Sequence, residues 1–400
     1  MRKHVSHVII SVLFLFLFIT GCGRSTSSTP VPKLPTNFAS YSPTTPHLMA
    51  GAIQGIPLAL NNTVSTLVGT AGINGIGFTN YSANSSDTAK FNQPNDITTD
   101  GANFYVADYA NSLIRRISTV SGVVKTATLI CTDNSSGAAI IFNHPTGITT
   151  DGINLYVADW GNNCIRVILG IDNAATNSYK VITIGSTSGL AGYVDSTVNA
   201  DVRFNQPVGI TTDGVNIYVT DYNNAVVRWI DPSNNYAVYT LTGTSLSPGF
   251  ADGAPGTARF NLPTRITTDG ASLFVTEIIN RTIRQIDIKT GNVSTLAGSS
   301  GQMGTDLGLI NATGTAARFN SPDGITTDGT NLYVTDWYKN NIRKIVIATG
   351  DVTTLFDPLH PPLHTPIGIT TDGSSLLVAD TYMLNDDYSY TYSNSILRIK

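Results

Sequence analysis

The pentapeptide Ile-Thr-Thr-Asp-Gly occurs six times in this chain, and in two copies the residue directly before it is charged. Gly occupies that position in four copies, whereas the first copy has Asp96 and the fourth has Arg265. Gly at such a position is typical of an unusual backbone angle. If the six copies are arranged around one axis, two opposite charges near that axis could bind a polar ligand. Neutral variation at exposed positions would explain the same substitutions, so both interpretations stay open.

Aromatic residues form a second candidate group. Each copy has an acidic residue eight positions after the aspartate of its Asp-Gly pair. In four copies an aromatic residue follows that acid directly: Tyr109, Trp160, Tyr222 and Trp337. Exposed aromatic rings on one face of a protein suit stacking against sugars or peptides. The alternative is that each ring packs over its own turn.

A tyrosine-rich insertion interrupts the sixth copy between residues 382 and 392. Tyr mixed with small polar residues is typical of adaptable binding loops. The candidate ligand contacts in this segment are Tyr382, Asp386, Asp387, Tyr388, Tyr390 and Tyr392. The insertion could instead serve only to seal the last repeat.

Motifs for catalysis or metal binding are absent from the sequence. It contains no Gly-x-Ser-x-Gly, His-Glu-x-x-His or Cys-x-x-Cys. We therefore assign no catalytic residue, no metal ligand and no cofactor. A second hypothesis remains, a metal-dependent hydrolase or lyase that uses Asp96, and Asp386 or Asp387, at the mouth of a central channel.

The repeats that position these residues are spaced by 44 to 62 residues, counted between the prolines that precede each copy. In the second copy, short β-branched or apolar runs at 147–150, 155–158, 165–168 and 181–184 are separated by turn residues, which predicts four antiparallel strands. Six such units predict an all-β fold, a six-bladed β-propeller with four-stranded blades.

The two ends of the repeat region predict how the ring closes. The chain stops at residues 396–400, which correspond to the third strand of the sixth unit, so that unit lacks its fourth strand. An unassigned segment at 64–69 matches the fourth strand at 293–298 almost residue for residue. We expect this N-terminal strand to complete the sixth blade, because an open ring would leave an unpaired edge.

The acidic residue and the Arg that recur in the repeats have a structural explanation. The acid that ends the second strand is followed by an Arg of the third strand in the first five copies, and a carboxylate beside a guanidinium would stabilise the intervening turn. In the sixth copy eleven residues are inserted before Arg398.

Cys131 and Cys164 are both expected near the same face, where an oxidising compartment would favour a disulfide. Two separately buried thiols are the alternative.

The repeats resemble the NHL-repeat family. The sequence Pro-Asp-Gly-Ile-Thr-Thr-Asp-Gly-Thr-Asn-Leu-Tyr-Val-Thr-Asp at 322–336 and Asn-Asn-Ile-Arg-Lys-Ile at 340–345 are similar to that family's pattern. The segments 295–298 and 317–319 resemble the NHL variety of bacterial surface proteins and teneurins. The resemblance covers about residues 62–400. It implies a propeller that serves as a binding platform for proteins, RNA or glycans, or in a few relatives as a lyase or hydrolase.

The N-terminus predicts export and lipidation. Arg2 and Lys3 precede an apolar run at 8–19 that is too short to span a bilayer comfortably, and Gly21-Cys22 follows. This order resembles the lipobox of bacterial lipoproteins, which implies a signal peptide at 1–21 and a lipid on Cys22. Residues 22–61, rich in Ser, Thr and Pro, predict a tether ahead of a propeller at 62–400. Gly23 resembles lipoproteins sent to an outer membrane.

Charge and composition limit the partners. The formal net charge of −4 becomes −6 once the signal segment, with Arg2 and Lys3 as its only charged residues, is removed. Such a chain has no electrostatic footprint for nucleic acid. We expect a lipid-anchored scaffold of the bacterial cell envelope that binds a protein, peptide or glycan. Its binding surface would be the loop face, defined here as the face with the connections between blades and the turns between second and third strands.

Overall fold

The computed structural model describes residues 57–69, 89–120, 123–171, 177–301, 310–356, 362–381, 383–384, 390–391 and 394–400. The predicted signal segment, Cys22 and most of the predicted tether therefore lie outside the described residues. Regular structure in the described part consists of β-strands and three-residue 3₁₀ turns. None of its helices is long and apolar enough to cross a membrane.

The strands form six antiparallel blades, numbered in chain order. Blade 1 contains β2 (Pro94–Thr99), β3 (Asn103–Asp108), β4 (Leu113–Val120) and β5 (Val123–Thr128). Blade 2 contains β7 (Pro145–Thr150), β8 (Leu155–Asp159), β9 (Cys164–Ile168) and β10 (Ser178–Ile184), with β6 (Ile130–Asp133) as a fifth strand. Blade 3 contains β11 (Pro207–Thr212), β12 (Ile217–Asp221), β13 (Val226–Asp231) and β14 (Ala237–Gly243).

The remaining blades repeat this order. Blade 4 contains β15 (Pro263–Thr268), β16 (Ser272–Glu277), β17 (Thr282–Asp287) and β18 (Val293–Gly298). Blade 5 contains β19 (Pro322–Thr327), β20 (Asn331–Asp336), β21 (Asn341–Val346) and β22 (Val352–Thr354). Blade 6 contains β23 (Pro366–Thr371), β24 (Leu376–Asp380), β27 (Ser395–Ile399) and β1 (Val64–Val68), and β25 (Met383–Leu384) and β26 (Tyr390–Thr391) form a separate pair. The predicted six-bladed propeller is confirmed.

Ring closure by the N-terminal strand is also confirmed. β1 pairs antiparallel with β27, with Val64 opposite Ile399 and Val68 opposite Ile396. The first strand of each blade contacts the first strands of both neighbouring blades, including β2 against β23, so these six strands form an unbroken ring around the axis. The hydrophobic core fills the spaces between blades: Phe204, for example, is buried among residues of blades 2 and 3.

The repeated Thr-Thr-Asp-Gly sequence makes the turn between first and second strands. In blade 1, Thr99 Oγ1 donates to the Asn103 carbonyl at 2.8 Å and accepts from Gly101 N at 3.0 Å. Asp100 Oδ1 accepts from Ala102 N and Asn103 N, and Tyr105 donates its hydroxyl to Asp100 Oδ2 at 2.8 Å. These bonds satisfy the turn locally, which explains why the motif is the same in every blade.

The reason for glycine before the repeated Ile differs from the unusual backbone angle that the sequence led us to expect. None of Gly147, Gly209, Gly324 and Gly368 has a positive φ. A Cβ on Gly324 would instead lie 2.0 Å from the Ile367 carbonyl oxygen, and one on Gly147 would lie 2.4 Å from the Val208 carbonyl oxygen. Close approach of neighbouring first strands, rather than unusual backbone angles, therefore requires glycine here.

The recurring acid and Arg form buried ion pairs in five blades, as predicted. In blade 4, Arg284 Nη1 lies 2.8 Å from Glu277 Oε2, and both side chains are fully buried. Glu277 Oε1 also accepts from Asn261 N at 2.7 Å, at the start of the blade. The guanidinium lies over the Phe260 ring, 5.2 Å from its centroid. Each pair thus ties the loop-face turn to the preceding connection.

Blade 6 departs from this arrangement, and the predicted equivalence of Arg398 is wrong. Val378 pairs with Leu397, whereas the corresponding Val334 pairs with Arg343, so Leu397 occupies the Arg position. Arg398 instead contacts Asp372 in the opposite turn, at 3.5 Å. His364 Nδ1 lies 3.0 Å from Asp380 Oδ2 and takes the place of the missing guanidinium. The insertion is therefore ten residues rather than eleven.

Of the two alternatives for Cys131 and Cys164, the disulfide is wrong and the separately buried thiols are observed, because both residues are free and buried. Cys131 lies on β6 opposite Tyr179, at the start of β10, whereas Cys164 lies beside Gly185, just after β10 ends. Six residues of strand separate the two levels by about 20 Å, and a disulfide needs Cα atoms within about 7 Å. The cysteines are at opposite ends of the blade rather than near the same face.

Candidate functional site

The start of each first strand lies beside the turn that follows the second strand. Pro94 pairs with Asp108, and Pro322 pairs with Asp336. Asp96 and Arg265, two positions after their prolines, are therefore on the loop face, as are the aromatic residues that follow the buried acids. The structure thus places these two groups of predicted site residues at the same end of the ring.

Arg265 reaches across the ring axis to Asp96. Arg265 belongs to blade 4 and Asp96 to blade 1, and the sequence of contacting first strands makes these two blades opposite each other. The distance from Arg265 Nη1 to Asp96 Oδ2 is 3.3 Å. The side chains of Arg265 and Asp96 are only 5% and 14% exposed, so the pair is not variation at exposed positions. It closes the centre of the loop face.

Two further residues complete this group, and we call Asn95, Asp96, Arg265 and Asp323 the axial cluster. Arg265 Nη2 donates to the Asn95 carbonyl at 3.0 Å and to the Asn95 side-chain oxygen. Arg265 Nε faces Asp323 Oδ1 at 3.7 Å. Sequence reasoning missed Asn95 and Asp323. Both directly follow the repeat proline, where the other copies have Thr146, Val208, Thr264 and Ile367, so the same comparison one position earlier would have found them.

The carboxylates of the axial cluster have perturbed acidities. Burial raises the pKa of Asp96 to about 6, although Arg265 and the amides of Ile97 and Ile148 oppose the rise. Asp96 Oδ2 accepts from Ile148 N at 3.1 Å, which joins blade 1 to blade 2. Burial also raises the pKa of Asp323, against the effect of Arg265. Negative charge at this site is thus only partly compensated.

The aromatic candidates surround the axial cluster on the loop face. Each is half-buried and begins a 3₁₀ turn after its second strand. The Tyr109 and Trp160 rings of neighbouring blades lie 6.3 Å apart, and His144 lies 4.7 Å from Tyr109. Tyr109 thus contacts the next blade rather than only its own turn. Burial, and secondarily the charge of Asp323, raises the pKa of Tyr222 to about 12. Trp337 packs edge-on against Tyr338, at 5.9 Å.

The sixth-blade insertion is described only in part. Met383 pairs with Thr391 and Leu384 with Tyr390 in a two-stranded ladder. The other predicted contacts lie outside the described residues: Tyr382, Asp386, Asp387, Tyr388 and Tyr392. Across the described part of the chain, no group of three or more His, Cys, Asp or Glu side chains could hold a metal ion.

Proteins of known sequence resemble this chain over part of their length. No family model matches the chain. It is 27% identical over 298 residues to NHL repeat-containing protein 2 from Homo sapiens, which covers 66% of this chain and 40% of that protein. It is 28% identical over 255 residues to Protein SUPPRESSOR OF QUENCHING 1, chloroplastic, from Arabidopsis thaliana, covering 59% and 23%. The chain thus spans less than half the length of these curated relatives.

Solved structures share the fold at lower identity. An auxiliary nutrient binding protein from Bacteroides ovatus has a TM-score of 0.59 and 14% identity, covering 85% of this chain and 77% of that one. A protein of unknown function from Bacteroides thetaiotaomicron has a TM-score of 0.57 and 17% identity, covering 84% and 75%. At such identities the likeness concerns the fold alone. The six repeats and the closed ring identify the chain as a six-bladed β-propeller, and its sequence is similar to that of NHL repeat-containing protein 2.

Proposed function

We propose that this propeller is a binding scaffold whose ligand, a protein, peptide or glycan, occupies the centre of the loop face. The observation that carries the proposal is the axial cluster. Charged side chains from blades 1, 4 and 5 meet at the axis, and two of them, Asp96 and Arg265, stand at the position where the other four copies have glycine. The close contact between first strands at this level does not require charged side chains. Placing three partly buried charges there is therefore not explained by stability of the fold.

The aromatic residues support this assignment. Tyr109, Trp160, Tyr222 and Trp337 give the site half-buried rings around a polar centre. A few polar groups among apolar and aromatic surfaces are typical of ligand sites. The Bacteroides ovatus neighbour is described as a nutrient binding protein, and its shared fold makes binding the first role to test here.

We further propose that the chain is anchored by a lipid on Cys22 and acts outside the cytoplasm, on the cell envelope. The basic start, the apolar run and Gly21-Cys22 support this anchor. Growth of expressing bacteria with a radiolabelled fatty acid tests it directly. Wild-type chain should take up label and fractionate with membranes, whereas Cys22→Ala should do neither. Equal labelling of the two proteins would refute the anchor.

A screen of immobilised glycans and peptides tests the binding function. Trp160→Ala should weaken any true loop-face binder by about 2 kcal/mol, or roughly 30-fold, because large aromatic residues dominate such interfaces. Tyr239→Ala is the matched control, since Tyr239 is a half-buried aromatic residue on the outer strand β14. Binders that lose equal affinity with both variants, or an empty screen, would count against the proposal.

A further inference from the structure

The axial cluster has one negative charge too many. Asp96 and Asp323 are carboxylates, and Arg265 is the one cation that contacts them among the described residues. The remaining first strands contribute no charge at this level, because β7, β11 and β23 have Thr146-Gly147, Val208-Gly209 and Ile367-Gly368 there. Buried charge of this kind is normally compensated, either by a proton or by a bound cation.

Of the two carboxylates, Asp323 has the weaker polar contacts. Its contact with Arg265 Nε spans 3.7 Å, and Nε makes no hydrogen bond although the Arg265 side chain is only 5% exposed. Asp96, by contrast, accepts two backbone amides and lies 3.3 Å from Arg265 Nη1. The side of the cluster next to Asp323 is therefore where a further positively charged donor would gain most.

The surroundings of Asp323 favour an organic cation. The charge of Asp323 contributes to the raised pKa of the Tyr222 phenol. The rim of the loop face carries further aromatic rings, such as Tyr109 and Trp160. Ammonium groups bind to aromatic faces as well as to carboxylates. We propose that the loop-face ligand carries an ammonium group, which binds between Asp323 and Tyr222 above Arg265. This proposal rests on the proposed binding function.

A proton competes with this ammonium group. Arg265 on β15 and Asp323 on β19 are the charged groups that face Asp96, together with the backbone amide of Ile148 on β7. Because the pKa of Asp96 is about 6, the extra negative charge is present above that pH and is lost below it. Affinity for the cation should therefore fall as pH decreases through about 6.

Two matched pairs of probes test the inference and separate its sources. Choline is compared with its neutral carbon isostere 3,3-dimethyl-1-butanol by titration calorimetry on the whole chain. In the same way, Nα-acetyl-lysine amide, with its side-chain ammonium free, is compared with Nα-acetyl-norleucine amide. The cation of at least one pair should bind about 30-fold more tightly than its neutral partner. Preference confined to the lysine pair indicates a peptide ligand, and preference in the choline pair indicates a small alkylammonium.

Variants locate the effect. Asp323→Asn should abolish the preference for the cation, since it removes the charge but keeps the side-chain shape. Asp201→Asn, at an exposed position on the connection before blade 3, should leave it unchanged. Equal binding of cation and neutral isostere, or no binding of either cation, overturns the inference. If the glycan and peptide screen still yields ligands that depend on Trp160, the binding function stands while the inference fails.

Discussion

Removal of Arg265 should destabilise the propeller in a pH-dependent way. In Arg265→Gln, Asp96 and Asp323 lose the guanidinium that lies 3.3 and 3.7 Å from them. At these distances and an effective dielectric constant of about 20, each contact is worth roughly 5 kcal/mol before desolvation. Breaking buried pairs costs about 3 to 5 kcal/mol net. Because both carboxylates are slightly exposed, we expect a loss near the lower figure, about 3 kcal/mol.

The pH dependence has a defined sign. The folded-state pKa of Asp96 is raised from 3.8 to about 6, so the folded protein binds a proton more readily than the unfolded chain. Wild-type stability should therefore increase as pH falls from about 6 towards 4. In Arg265→Gln the carboxylates protonate still more easily, so the deficit should shrink over the same range.

Guanidinium chloride denaturation at several pH values, followed by circular dichroism, measures both effects. The double variant Asp96→Asn with Arg265→Gln is the control, because it removes one unpaired carboxylate and should recover part of the loss. A deficit below about 1 kcal/mol, typical of an exposed ion pair, would refute the reasoning. So would a deficit that is the same at pH about 7.5 and about 5.

Three other predictions concern the ring. Deletion of residues 62–70 removes β1 and should lower the denaturation midpoint of the whole propeller; an unchanged midpoint would disprove closure by this strand. Arg284→Met leaves Glu277 buried and unpaired and should cost about 3 to 5 kcal/mol by chemical denaturation, whereas Arg398→Met, at a partly exposed pair, should cost less than about 1 kcal/mol. The bond to Asp380 raises the pKa of His364, so its contribution to stability should be complete below about 6.5 and lost as pH rises through the raised pKa. His364→Gln should flatten that loss in thermal melts, and an identical slope in both proteins would contradict it.

The sixfold features could be predicted from sequence because their causes are local. The Thr-Thr-Asp-Gly turn is satisfied by hydrogen bonds within a few residues, and the match between 64–69 and 293–298 identified the closing strand. Closure then followed from the need to pair an open edge. The buried acid and Arg were predicted as a turn-stabilising pair for the same reason, and five blades show it.

The register of the last strand, the heights of the two cysteines and the contact between Asp323 and Arg265 could not be predicted from the sequence. The one-residue difference that puts Leu397 in place of Arg398 reverses which way a strand side chain points, and the inserted hairpin hides it in the sequence. The cysteines differ in height because β6 runs along the outer edge of blade 2. Asp323 and Arg265 are 58 residues apart in sequence, and only the ring brings them together. Composition alone says nothing of such pairs.

Indole NMR with the tightest ligand from the screen tests the central claim most directly. The chain has three tryptophans, of which Trp160 and Trp337 begin loop-face turns, whereas Trp229 lies on the third strand of blade 3 and is 6% exposed. Binding at the centre of the loop face predicts saturable shifts of the Trp160 and Trp337 indole N–H signals with no shift for Trp229. A shift confined to Trp229, or saturable binding that moves none of the three signals, would contradict the account.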